Sequence, residues 1–393
     1  MIQTLNQWLK DKRIEPSSQV LIREDFNLPM AGGKILSDAR LRAALPTLAA
    51  LKKAGAGVVI LSHLGRPQEG QPNPAYSLAP VAKRLSELLN QEVTFLDWPA
   101  ARSAKPGEFI LMENVRFLAG ETSNDIQVAK RLATLGTIFV MDAFASAHRA
   151  HASTVGVAQV SAVALAGPLL EAELQALDKV LKKPKHPVVS IIGGAKISGK
   201  IDLLERLLSL SDTLIVGGGI ANTFIAAQGH NVGRSLYEPD QVSLAKALLK
   251  KAKARKWSIL VPTDAIVAQE CANTALPQIK KVYEVKAQDR ILDVGPSSTA
   301  LYAGIIGEAK TILWNGPMGA FEYKPFAAGT QLVAKLIADS DGYSVVGGGE
   351  TLSALERAGV SEWISYVSTG GGAFLAYCEG QTLPGIAALD RGD

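Results

Sequence analysis

Cysteine is scarce in this chain, with only Cys271 and Cys378 among 393 residues. Two thiols cannot build a metal cluster by themselves, and so few without an export signal indicate a reducing compartment, where both are expected to be buried. A secretory signal is lacking: "MIQTLNQWLKDKR" has neither the apolar core nor the cleavage site of one. The longest weakly polar stretch, "STVGVAQVSAVALAGPLL", is interrupted by Gln159, Ser161, Gly167 and Pro168 and falls short of a membrane span. Strong charge of either sign is missing too. A formal net charge of +4 gives no argument for nucleic acid or a membrane surface as partner. The expectation is a soluble cytoplasmic protein.

What is present is length and a repeated alternation. At 393 residues the chain exceeds one ordinary hydrophobic core, so two domains are expected. Apolar runs such as "VVIL" at Val58, "FILM" at Phe109, "VVSII" at Val188, "RILDV" at Arg290 and "TILW" at Thr311 alternate with amphipathic runs such as "ARLRAALPTLAALKKAG" and "LAPVAKRLSELLN". Strands this uniformly apolar are covered on both faces, which indicates parallel sheets flanked by helices. The fold class expected is α/β: two doubly wound, Rossmann-like domains joined by an interdomain helix and hinge. The first domain spans 1–165. The Leu spacing of 166–187 suggests the joining helix and linker, and the second domain runs over 188–379.

Ligands of open parallel sheets bind beyond the carboxyl ends of the strands. In the first half those ends carry basic and amide side chains. "VLIREDFNLP" supplies Arg23, Asp25 and Asn27, "VVILSHLGRP" supplies His63 and Arg66, "FILMENVRF" supplies Asn114 and Arg116, and "TIFVMDAFASAHRAHAS" supplies Asp142, His148, Arg149 and His151. Arg40 and Arg42 follow Asp38 at a helix start. Planar guanidinium groups pair bidentately with phosphate and carboxylate, so this edge reads as an anion site. In the second half the ends carry glycine: "GGAK", "GGG", "DVGP", "WNGP", "GGGET" and "STGGGA". Six such turns on one sheet edge suggest a nucleotide held by backbone N–H groups. A small anion on one domain and a nucleotide on the other suggest transfer between two ligands, and phosphoryl transfer fits.

The turn "GGAKISGK" nearly spells a P-loop, from Gly194 through Gly199 to Lys200. The residue that should offer a hydroxyl to Mg²⁺ is Ile201. No clean G-x-G-x-x-G occurs either, because Leu352 stands at the sixth position of the run that starts with Gly347.

Taken together, "REDFNLP", "SHLGRP", "ENVRF", "DAFASAHRAHAST", "GGAKISGK", "GGGIANTF", "WNGPMGAFE" and "GGGET…STGGGA" resemble the signatures of the phosphoglycerate kinase family, in its order and over the whole chain. In that family the "GGAKxxxK" turn is not a P-loop. The resemblance implies reversible phosphoryl transfer between 1,3-bisphosphoglycerate and ADP, giving 3-phosphoglycerate and ATP. It implies that Asp25, Phe26, Asn27, the segment His63, Leu64, Gly65 and Arg66, and Arg116 and Arg149 bind the phosphoglycerate. Arg40 would sit beside the phosphoryl group in flight. Lys196 would follow it, and Gly370, Gly371 and Gly372 would offer it N–H groups. Lys200 would hold the nucleotide phosphates and Glu322 the ribose. Gly348, Gly349, Glu350 and Thr351 would line the phosphates, with Glu350 toward Mg²⁺. Two departures accompany the likeness. Glu350 replaces the usual Asp, carrying the carboxylate about 1.5 Å further, and Met141 precedes Asp142 where Asn is frequent. Nothing in the sequence suggests an obligate dimer, so a monomer is expected, and the family further implies that residues 380–393 return to the first domain.

Two other classes compete. A P-loop hydrolase needs Ser or Thr at position 201. A non-catalytic nucleotide- or anion-binding protein would tolerate loss of Lys196 and Arg40, which are both present. His148 and His151 lack partners for a metal ligand set, and "LLKKAKARK" reads as a solvated helix face.

Overall fold

In the computed structural model, which describes residues 2–255 and 257–390, the chain divides into two units. One comprises the residues through Leu174 together with those from Thr382 onward, and the other is Gln175–Gln381. Met1, Lys256 and residues 391–393 lie outside the described residues, and with them the outer ends of the expected segments 1–165 and 380–393 and the last residue of "LLKKAKARK".

In the first unit, α1 (Leu5–Lys10) precedes β1 (Gln19–Arg23) and a short antiparallel hairpin of β2 (Met30–Ala31) and β3 (Lys34–Ile35). Strands and helices then alternate: α2 (Ala39–Ala54), β4 (Gly57–Leu61), α3 (Ala79–Leu89), β5 (Val93–Leu96), β6 (Phe109–Met112), α4 (Ile126–Ala133), β7 (Ile138–Met141), α5 (Val157–Val160) and β8 (Val163–Ala166). Six strands form a parallel sheet in the order β5-β6-β4-β1-β7-β8. All five residues of β4 are buried. Successive side chains point to opposite faces, so both faces are covered. Val20, Ile22, Val58 and Ile60 pack there with Leu41 and Leu48 of α2 and Leu85 of α3. Adjacency of β6, β4, β1 and β7 sets their four C-terminal loops side by side. Those loops carry the basic residues.

Beyond β7, Asp142 is buried and accepts hydrogen bonds from the N–H groups of Leu169 (2.7 Å) and Leu170 (3.1 Å) and from the Thr47 hydroxyl (2.9 Å). It thereby ties α2 to the first turn of α6 (Pro168–Leu181), the helix along which the chain leaves the first unit.

The second unit contains β9 (Val188–Ile192), α7 (Ile201–Leu210), β10 (Thr213–Val216), α8 (Gly218–Ala227), α9 (Val242–Arg255), β11 (Ser258–Leu260), β12 (Asp264–Ala268), β13 (Gln278–Lys281), β14 (Arg290–Val294), α10 (Pro296–Glu308), β15 (Thr311–Asn315), α11 (Ala328–Ala338), β16 (Tyr343–Gly347), α12 (Gly349–Ala358), β17 (Tyr366–Ser368) and α13 (Gly372–Cys378). Its main sheet is parallel, in the order β11-β10-β9-β15-β16-β17. "RILDV" corrects the expectation of a single sheet edge. As β14 it pairs antiparallel with β12 in a separate three-stranded sheet, β13-β12-β14. Arg290, Ile291 and Leu292 are only half-buried, unlike the fully buried β9 and β15, and a strand with one covered face suits an antiparallel sheet. Five of the six glycine turns therefore follow the parallel strands, and "DVGP" does not. Last, α14 (Pro384–Ala387) belongs to the first unit, where the Gly385 N–H donates to the Ala147 carbonyl at 2.9 Å.

Candidate active site

The basic edge of the first unit is organised by one buried guanidinium. Arg23 ends β1 at 1% exposure. It donates to the Glu24 carbonyl, to Ser153 Oγ (3.0 Å) and to Nδ1 of His63 (3.1 Å). A guanidinium only donates, so His63 Nδ1 accepts and the imidazole is neutral with its proton on Nε2. Burial, and then the charges of Arg23, Arg116, Arg149 and Arg40, hold the His63 pKa well below the ordinary range. Four arginines from separate stretches are thus close enough to act on one ring. Arg116 is brought down to about 10 by burial and by the neighbouring Arg149 and Arg23. His151 falls to about 4 by burial and by Arg116, Arg23 and Arg149. Their buried counter-charge is Glu121, which accepts from the Ser153 hydroxyl (2.6 Å) and N–H (2.9 Å). Cations that depress one another's proton affinity mark a place suited to an anion.

Arg66, Arg116 and Arg149 line a cleft of ≈ 400 Å³ with Pro67, Thr122 and His151. Arg116 is steadied by a bond to the Gly65 carbonyl, and Gly65 N–H donates to Asn27 Oδ1 at 2.9 Å. Asn27 N–H in turn donates to Asp25, whose carboxylate pairs with Arg40 at the start of α2. Phe26 and Leu64 put their side chains into the core and leave only backbone to a ligand. Their place in the motifs reflects packing.

In the second unit, a pocket of ≈ 300 Å³ lies over the glycine turns. Gly194, Ala195, Gly218 and Gly219 form one wall, Pro317, Met318 and Gly319 another, and Glu322 and Glu350 stand at its polar rim. The turns are laced together: Gly193 N–H donates to Asn315 O (2.9 Å), Gly194 N–H to Pro317 O (3.1 Å) and Gly218 N–H to Met318 O (2.8 Å). A Cβ on Gly193 would fall onto the Pro317 carbonyl, so this glycine permits turn-on-turn packing as well as ligand approach. Lys200 donates to the Gly193 carbonyl at 2.7 Å, and burial brings its pKa down to about 8 against the nearby Glu350, which raises it. Lys196, four residues earlier, is exposed.

Gly348 precedes α12, and Gly349 and Glu350 lie in its first turn, Glu350 exposed. Thr351 is buried: its hydroxyl accepts from Gly316 N–H (2.8 Å) and donates to the Gly347 carbonyl (3.0 Å), so it holds two turns together and does not face the pocket. Gly371 has φ 53°. It places the N–H groups of Gly371 and Gly372 ahead of the first bonded turn of α13, which begins with Leu375 N–H on the Gly371 carbonyl. Ile201 is half-buried at the start of α7.

Several pocket residues lay outside the sequence reasoning. Ile225, Leu236, Pro262 and Leu292 make its apolar end, with Asn222, Arg290 and Asp293 among them. Asn222 stands inside the quoted "GGGIANTF", whereas Leu236 and Pro262 carried no signal. The thiols need correction: Cys378 is buried, but Cys271 is exposed and lines the pocket. Cys271 stands in the polar stretch 269–274 that follows β12.

The phosphoglycerate kinase family profile matches residues 10–381. A phosphoglycerate kinase of Desulfovibrio desulfuricans is 51% identical over 371 residues, covering 94% of this chain and 95% of that protein. One of Legionella pneumophila is 51% identical over 374 residues, covering 95% and 94%. Among solved structures, the phosphoglycerate kinase of Coxiella burnetii superposes with a TM-score of 0.94 at 46% identity, covering 100% of this chain and 99% of the other. That of Pyrococcus horikoshii gives 0.83 at 33% identity, covering 99% and 98%.

Proposed function

Since this chain belongs to the phosphoglycerate kinase family, whose members transfer phosphate to a carboxyl group of 3-phosphoglycerate with ATP and ADP as the nucleotide pair, we propose that its basic edge holds the phosphoglycerate and its glycine-walled pocket the nucleotide. The observation that carries this assignment is the contrast between the two sites. One has arginines depressing each other's proton affinity. The other has an apolar end and a backbone wall, with half-buried Lys200 on the neighbouring Gly193 carbonyl.

On this reading Arg66, Arg116 and Arg149 grip the anionic ends of the acid, and neutral His63 offers its Nε2–H. Asp25 and Asn27 orient the substrate through Arg40 and the Gly65 turn. Lys200 holds the nucleotide phosphates and Glu322 takes the ribose hydroxyls. Arg40, exposed Lys196 and the N–H groups of Gly371 and Gly372 meet the equatorial oxygens of the transferring group, where charge develops. No residue is needed as a base, because the attacking carboxylate is already ionised. In-line transfer needs the two ligands to meet with water excluded, so turnover includes a hinge closure.

Among the described residues no group of three His, Cys, Asp or Glu could hold a metal ion. Glu350 alone faces the phosphate end, with Gly348 and Gly349 beside it. This suits Mg²⁺, which keeps several waters and takes its other ligands from nucleotide phosphates. There it would neutralise phosphate charge. A monomer working in the cytoplasm completes the proposal, in keeping with the scarcity of cysteine and the modest net charge.

Arg66→Ala and Glu322→Ala test the assignment, since both side chains are exposed. Arg66→Ala raises KM for 3-phosphoglycerate about tenfold or more and leaves KM for ATP unchanged. Glu322→Ala does the reverse. Equal effects on both KM values would contradict the division of labour.

A further inference from the structure

Four buried polar side chains of the first unit, Glu121, Ser153, Arg23 and His63, join in one line of hydrogen bonds. They come from four separate segments: the stretch after "ENVRF", the "HAST" turn, the end of β1 and the loop after β4. Each link has one possible direction. The Arg23 guanidinium can only donate, so Ser153 Oγ accepts from Nε at 3.0 Å. The hydroxyl proton is then free for Glu121, whose carboxylate takes it at 2.6 Å. At the other end Arg23 Nη2 donates to His63 Nδ1 at 3.1 Å, which leaves the ring proton on Nε2. His63 is 5% exposed, and its Nε2 makes no hydrogen bond among the described residues and is not enclosed. That N–H is left to a ligand.

Glu121 is more than a distant counter-charge. It accepts from the Ser153 N–H at 2.9 Å, and its own carbonyl accepts from the Ala152 N–H at 2.8 Å. Side chain and backbone thus both fix the turn that carries Ser153. Among the described residues no carboxylate pairs directly with Arg23, because Ser153 stands between it and Glu121. The third bond of the guanidinium goes to the Glu24 carbonyl. Acceptors in three directions set the plane of the fork, and with it the edge that meets His63. Without the Ser153 hydroxyl, Arg23 Nε and the Glu121 carboxylate would each lose a partner. Buried charges left so are costly, and the two groups would draw together, taking Nη2 away from Nδ1.

We propose that Glu121 and Ser153 are positioning residues for the acid substrate: through Arg23 they keep Nδ1 of His63 unprotonated and commit its Nε2–H to the phosphoglycerate. The opposite tautomer would turn a lone pair toward an anion. Neither Glu121 nor Ser153 touches the substrate, and both act only through the imidazole. The inference rests on assigning the basic edge to phosphoglycerate.

The test combines nitrogen-15 spectra of histidine-labelled protein at neutral pH with steady-state kinetics for 3-phosphoglycerate and ATP, in the wild type and in Ser153→Ala. Among the five histidines of the chain, the signals of His63 are those lost in His63→Gln. The wild type shows one tautomer, with Nδ1 bare and Nε2 protonated. Ser153→Ala lets the proton exchange between the two nitrogens and raises KM for 3-phosphoglycerate about fivefold, while kcat and KM for ATP stay within about twofold. A loss of folded protein alone would move neither the tautomer nor a KM. Where Ser153→Ala does not fold, Glu121→Asp serves with the same expected result, since it draws the carboxylate back by about 1.5 Å. A wild-type ring with its proton on Nδ1, or a tautomer unmoved by the substitution, overturns the relay. A freed tautomer with KM for 3-phosphoglycerate unchanged overturns the placing of that ligand at His63 while the relay stands.

Discussion

Lys200 joins local structure to function through its solvation. It is anchored on the Gly193 carbonyl, and burial lowers its pKa to about 8 although Glu350 pulls the other way. Below that pH the ammonium is present, on the proposed reading to meet phosphate, and above it the charge is lost. kcat/KM for the nucleotide should therefore fall above about pH 8, approaching tenfold per pH unit. Lys200→Arg should hold its plateau through pH 9.5, since a guanidinium stays protonated. A flat wild-type profile over pH 6.5–9.5 would contradict this. Ionised residues such as Lys200, Arg66 and Arg149 were legible because each follows an apolar run or a glycine turn. The pairings that support them were not: Arg23 finds Ser153 130 positions away, and Asn114 meets the Leu64 carbonyl 50 positions away. Such partners exist only after the sheet has ordered its strands.

At the scale of elements, the join between α2, β7 and α6 rests on Asp142. Burial raises its pKa to about 6, over the bonds from Leu170, Thr47 and Leu169 that favour the charged form. The folded pKa exceeds the unfolded one, so this carboxyl's contribution to stability is complete below pH about 4 and is lost as pH rises through 6. The unfolding free energy of the wild type, less that of Asp142→Asn, should fall by on the order of 3 kcal/mol between pH 4 and 7. Urea denaturation across that range measures it, and a constant difference would refute it. Parallel strands such as β4 and β9 were legible because both their faces are covered and, apart from Ser190, every residue is apolar or glycine. The run in β14 shares their apolar centre but carries Arg290 and Asp293, and half-buried Arg290 and Ile291 pair antiparallel with Ala268 and Val267. β8 was hidden in a stretch broken by Ser161 and Gly167, and the β2–β3 hairpin is too short to show a period.

For the molecule as a whole, two units of the same fold class offer sites of opposite kinds. The first uses charged side chains at four neighbouring strand ends. The second uses backbone turns closed so tightly that Gly193 admits no Cβ. Neither site alone accounts for transfer, and this dependence is the central claim. The most direct test is Mg·ATP-dependent phosphorylation of 3-phosphoglycerate, with the acyl phosphate drawn off by a coupled dehydrogenase and NADH loss recorded. The account predicts turnover that needs both substrates and falls about 10³–10⁵-fold in Lys196→Ala and in Arg40→Ala. ATP consumption without 3-phosphoglycerate, or undiminished turnover in Lys196→Ala, would contradict it.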